Sequence, residues 1–311
     1  MHADQRVEII SVDMTEQAIS LPLRQGRFNS SALLLAPACI AVCACLIVPL
    51  GYVLAMGFNP SRPGVVELSS HLTLVNFTRF VTSPFYWWVL GKTVYIAGIT
   101  TVLCVILGMV LALSIWQAPA TRRGVIIIIV LSPLLVSIVT RTFGWMLVLG
   151  DTGLINSALL SAGLIRQPLH LMFNDGAVVV GLVHVFLPLM VLPILTALER
   201  IDPAVPQAAG TLGAGRLTIV LRILLPMVSP GIVAGITIVF SLSMSSYITP
   251  ALMGGTRSGM ITTLIYQQFV VTFNWQFGSV LVAMLLATSF AIVGLVLLEF
   301  GRRTRQWMGR R

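Results

Sequence analysis

Charge is scarce in this chain: Asp, Glu, Lys and Arg make up 9% of its 311 residues, against 57% hydrophobic residues. So few polar side chains cannot cover a globule in water, which excludes a soluble domain. Carboxylates are scarcer still, ten in all, and the hydrophobic runs hold none short of their ends. A carrier driven by protons or sodium through acids buried in the bilayer therefore lacks its chemistry. Cysteine is limited to Cys39, Cys43, Cys45 and Cys104, all inside apolar runs without a nearby His or carboxylate. They read as apolar filler, and no metal site is expected. No His, Asp and Glu cluster with catalytic spacing occurs either, which argues against an intramembrane enzyme.

What the sequence has is length of apolar chain. Crossing roughly 30 Å of hydrocarbon takes about 20 apolar residues, and six segments qualify, near 31–58, 93–116, 124–140, 176–198, 227–248 and 278–300. The reading is an all-α integral membrane domain over 31–300. It is preceded by a polar tail, 1–30, and followed by a basic tail, 301–311. The first run is too long for a signal-peptide core and lacks a small-residue cleavage site, so it reads as an uncleaved anchor. The two halves show no repeat, which weakens an inverted-repeat secondary transporter. An ion-coupled secondary transporter acting alone is kept as the alternative.

The net charge of +9 is explained by topology. If both termini face the cytoplasm, the inside carries thirteen arginines: Arg6, Arg24, Arg27, Arg122, Arg123, Arg200, Arg216, Arg222, Arg302, Arg303, Arg305, Arg310 and Arg311. Outside are six cations: Arg62, Arg79, Lys92, Arg141, Arg166 and Arg257. This is the positive-inside pattern, and attraction to anionic lipid accounts for the charge without nucleic acid.

Two outer stretches are expected, 59–92 and 141–175. The first holds Phe85, Tyr86, Trp87 and Trp88, an interfacial aromatic belt. In the second, turn-forming Gly150-Asp151-Thr152-Gly153 and Asn174-Asp175-Gly176 flank a weakly amphipathic piece at 154–165. Gly91-Lys92-Thr93 imitates the end of a phosphate-binding loop, but Tyr86 stands where its first glycine belongs and no strand precedes it. His184, inside the fourth span, is either a functional ionisable group or a histidine hydrogen-bonded between helices. Trp145, Asp151 and Tyr247 are candidates, with His184, for a solute path.

The inner loop at 199–226 is the most informative segment. Asp202-Pro203 and Val205-Pro206 each mark a helix start, with Asp202 available to cap. Gln207, Ala208 and Ala209 supply a small-residue turn that a partner can approach closely, and Gly213 is placed to end the helix left-handed. A second helix over 216–225 is expected to present Leu217, Val220, Leu221 and Leu224 on one face, with Pro226 fixing entry to the fifth span.

This loop resembles the EAA loop of binding-protein-dependent ABC importer permeases, in which Glu-Ala-Ala is followed by a glycine four residues on and an Ile-x-Leu-Pro ending. Ala208, Ala209, Gly213, Ile223, Leu225 and Pro226 match in register, and Gln207 replaces the acidic residue, removing a possible ion pair. Residues 133–156, 174–193 and Ile248 to Gly255 are similar to the spermidine/putrescine-type permease subunits. The resemblance spans about 30–300. It implies a type I importer permease bundle of six helices in a bacterial inner membrane, multi-pass, with the loop as a coupling helix. The implied function is import of a polyamine-like solute by alternating access. The implied partners are a dimer of ATP-binding subunits, a second permease and an extracytoplasmic solute-binding protein. No catalysis and no cofactor are expected in this chain; ATP and Mg²⁺ belong to the partner subunits.

Overall fold

The computed structural model describes residues 29–68, 71–255 and 259–308, with side chains described from 37 to 302. The expected polar tail up to residue 28, and Arg257, Arg310 and Arg311 of the charge pattern, lie outside the described residues. The chain divides into two compact units, Met1–Leu50 and Gly51–Arg311. Among the described residues every regular element is helical, as hydrocarbon demands of a single chain that must satisfy its own backbone groups.

In the first unit, helix α1 (Asn29–Met56) begins, with Pro37 and Pro49 inside it. Its Ile40, Val42, Leu46, Ile47 and Val48 are all exposed, the surface of a helix whose surroundings are apolar.

The second unit is built around α3 (Pro84–Gln117) and α7 (Asp175–Glu199). Short α2 (Val75–Thr82) precedes α3. Between α3 and α7 come α4 (Ala120–Leu135), α5 (Ile138–Leu149) and α6 (Leu154–Ser161). After α7 come α8 (Ala204–Thr211), α9 (Arg216–Met227) and α10 (Ser229–Ser245). The last three are α11 (Ile248–Met253), α12 (Ile261–Val271) and α13 (Trp275–Met308). Among the described residues five helical stretches are long and apolar enough to cross a membrane, and a sixth span results if α9 and α10, bent by 70° at their junction, count as one.

One expectation needs correction. The third span, expected at 124–140, is not one helix: α4 stops at Leu135, Val136 is extended, and α5 restarts at Ile138. Sixteen residues rise only about 24 Å, short of the hydrocarbon thickness, and the long apolar stretch here is instead Ile138–Ser161. The outer loop expected from Arg141 onward is thus helical at its start. The tail expected at 301–311 continues α13 as helix to Met308.

α7 is the central helix, with two thirds of its span buried, and Leu182, Met190, Ile194 and Leu198 wholly enclosed. In lipid the gain comes less from leaving water than from close packing, so interfaces favour small residues. Gly231 and Gly235 sit one turn apart on α10 and press on α7. A β-carbon at Gly231 would fall 2.5 Å from the Pro193 carbonyl oxygen, and one at Gly235 would fall 2.4 Å from Met190 Sδ. Gly108 of α3 meets the same Met190, where a β-carbon would fall 2.8 Å from its Cγ. Three helices are thereby drawn onto one methionine.

Candidate functional site

The segment after α7 folds as helix, glycine turn and helix. Of the two possible starts, the chain uses the first: Pro203 occupies the cap position of α8 and Asp202 Oδ1 accepts the Ala204 N–H at 2.8 Å. Thr211 ends α8, and Gly213 takes φ +86°. Gly213 N–H then bonds Gly210 O at 3.0 Å and Ala214 N–H bonds Ala209 O at 3.0 Å, the paired bonds of a Schellman stop. No residue of α8 is buried. Gln207 and Ala208 are exposed and Ala209 half-buried.

α9 departs from the expected single apolar face. Leu224 is buried and Val220 half-buried, but Leu217 and Leu221 are exposed. The reason is a π-helical turn at Val220–Leu224, where Leu225 N–H bonds Val220 O. One extra residue in a turn rotates the rest of the helix, so a period of 3.6 no longer keeps all four apolar positions together. Ile223 is half-buried, whereas Leu225 and Pro226 are exposed. Pro226 lies just before the 70° corner, which falls at Val228 between α9 and α10. At the same end of the bundle Arg123 at the start of α4 pairs with Glu199, the last residue of α7.

The second feature is a groove of about 440 Å³ along α4, α5 and α7, lined by Ser132, Pro133, Val136, Arg141, Trp145 and His184 among others. The helix break makes it. Pro133 has no N–H for the Ile129 carbonyl, and Ser132 Oγ donates there instead at 2.8 Å. Because α4 stops, the Pro133 carbonyl has no helical donor, and the Arg141 guanidinium reaches back to bond it. Arg141, read from charge distribution as an outside cation, is 9% exposed, and its Nε has no partner among the described residues. Sequence reasoning missed it, although a proline within an apolar run eight residues before an arginine was a usable signal.

Trp145 and His184 meet across this groove. Trp145 Nε1–H donates to His184 Nδ1 at 3.0 Å, with the rings edge-on at 5.5 Å. An indole nitrogen only donates, so the accepting Nδ1 carries no proton and the histidine proton sits on Nε2. The other two path candidates lie apart from the groove lining. Asp151 faces His170 at 3.5 Å in the Gly150–Gly153 turn, both exposed. Tyr247 stacks on Tyr266 with centroids 4.5 Å apart. Burial first, and then the charge and hydrogen bond of Tyr266, push its hydroxyl above the ordinary tyrosine value.

The imitation phosphate loop is helix α3. Lys92 pairs with Asp175 at 3.0 Å and lies over the Trp88 ring at 5.0 Å. Thr93 Oγ1 donates to Val89 O and accepts the Ile261 N–H at 2.9 Å. Among the described residues no group of His, Cys, Asp or Glu could hold a metal.

No protein-family model matches the chain. It is 34% identical over 236 residues to the spermidine/putrescine transport system permease protein PotB of Escherichia coli (strain K12), covering 75% of this chain and 83% of that protein. It is 30% identical over 234 residues to PotB of Haemophilus influenzae, covering 75% and 81%. A crystal structure of a bacterial alginate ABC transporter in complex with an alginate pentasaccharide-bound periplasmic protein superposes with a TM-score of 0.71. That match covers 86% of this chain and 92% of the other at 18% identity, and so bears on fold alone. With relatives this similar over most of both lengths, the chain belongs to the ABC importer permeases, in the branch of the spermidine/putrescine transport system permease proteins.

Proposed function

We propose that this permease subunit imports a polyamine-like solute as one of a permease pair, with both termini in the cytoplasm of a bacterial cell whose inner membrane it spans. The solute class is that named for its PotB relatives. A dimer of ATP-binding subunits supplies energy through bound ATP and Mg²⁺, and an extracytoplasmic binding protein delivers the solute. The chain itself breaks no bond.

The observation that carries the reading is α8: a short helix closed by a glycine stop, with no buried residue of its own. Such a helix has its packing surface free for another protein, and its Gln207, Ala208, Ala209 and Gly213 stand in the register of the EAA motif. Docked in a motor subunit, it would turn closure of that motor into movement of α9 and the helices beyond, and a central path would open alternately to each side. The exposed Leu212 and Leu217 at its margin add apolar surface for such a partner.

The test is reconstitution. Gln207→Cys, in a chain with its own four cysteines replaced, should cross-link to the ATP-binding subunit, and loaded binding protein should stimulate ATP hydrolysis by the assembled complex. Uptake by the purified chain alone under a proton or sodium gradient would overturn the proposal.

A further inference from the structure

We infer that the groove at the α4–α5 break binds an anionic group, a carboxylate or phosphate, against Arg141. Arg141 lines the groove with only 9% of its surface exposed, and among the described residues its guanidinium bonds the Pro133 carbonyl while the enclosed Nε stands without a partner. A charge enclosed in a membrane bundle without a counter-charge is costly, and such residues mark binding sites or pathways. Among the described residues no Asp or Glu lines the groove. The remaining chemistry is also that of donors. Trp145 holds His184 Nδ1 as an acceptor and so fixes the histidine proton on Nε2, and Arg141 and His184 line the same groove.

A fork of N–H groups beside an imidazole N–H matches the oxygens of a carboxylate or phosphate, and the volume of about 440 Å³ admits a small solute or a lipid headgroup. The same groove offers an ammonium group no opposite charge, so it is not a polyamine subsite. The inference does not depend on which solute is imported, because binding is read on this chain without its partners.

The full-length chain in phosphatidylcholine nanodiscs would be titrated at constant ionic strength with glutamate, inorganic phosphate and putrescine. Tryptophan fluorescence would be read against the Trp145→Phe chain, so that only the groove indole reports. The expected result is a saturable, Trp145-dependent change with glutamate or phosphate and none with putrescine. Arg141→Lys, which keeps the charge and loses the fork, should weaken it about tenfold. In phosphatidylglycerol nanodiscs, a change already present before any solute is added assigns the anion to a lipid headgroup, and a response that still saturates with added solute assigns it to the solute. Saturation by putrescine, unchanged affinity in Arg141→Lys, or no response to either anion or to phosphatidylglycerol overturns the inference.

Discussion

The indole of Trp145 on α5 and the imidazole of His184 on α7 are joined by a 3.0 Å hydrogen bond between residues 39 apart in sequence. It is a cross-brace between two helices that line the groove. Trp145→Phe keeps an aromatic ring and removes the donor, leaving Nδ1 unsatisfied at a cost of about 1–3 kcal/mol. Trp145→Phe with His184→Leu removes both partners and should be less destabilised than the single variant. Unfolding of the purified chain in detergent, monitored by circular dichroism, checks the order.

The glycine seam between α10 and α7 should not tolerate growth. Gly231→Val sets a side chain against the Pro193 carbonyl and Ala197, and overpacking of this kind costs about 1–3 kcal/mol or more against backbone that cannot yield. Gly98→Ala, on a helix with nothing within 4 Å of the added carbon, should be neutral or mildly stabilising. Thermal aggregation midpoints in detergent compare the two directly.

Gly213 separates folding from transport. Its φ of +86° lies outside proline's range, so Gly213→Pro must remodel the stop after α8. Since α8 has no buried residue, membrane insertion and the melting midpoint should stay near wild type. Transport by the reconstituted complex should be lost. Gly213→Ala, strained by about 1–2 kcal/mol, should fall between them.

Alkaline pH probes the Tyr247 and Tyr266 stack. With the Tyr247 hydroxyl held above its ordinary value, mainly by burial, the folded state keeps a proton that the unfolded state releases. This contribution is fully present below about pH 10, the ordinary tyrosine value, and is lost as pH rises above it. Tyr247→Phe should flatten stability against pH above that point and remove the late-titrating component of absorbance near 295 nm.

Runs that are uniformly apolar were legible from sequence: α3, α7 and α13 fall on expected spans because length and hydropathy alone determine them. The stop at Gly213 was legible because backbone chemistry is local. The break at Val136 was not, since Leu135, Val136 and Ile138 are as apolar in an extended joint as in a helix, and only the missing Pro133 donor hints at it. The burial of Arg141 was not legible for the same reason: counting charges assigns a side of the membrane, whereas the enclosure of this side chain goes with a carbonyl freed eight residues earlier. Leu217 and Leu221 were assigned a buried face on a strict helical period, and a single π-helical turn was enough to rotate them outward.

The 70° corner at Val228 turns α9 and α10 into the two arms of a bell-crank. A thrust delivered lengthwise along the first arm arrives at the second largely as a sideways swing. Because that second arm is keyed to α7 through Gly231 and Gly235, the central helix would be levered along with it, and a short stroke at one rim would be spread through the middle of the bundle.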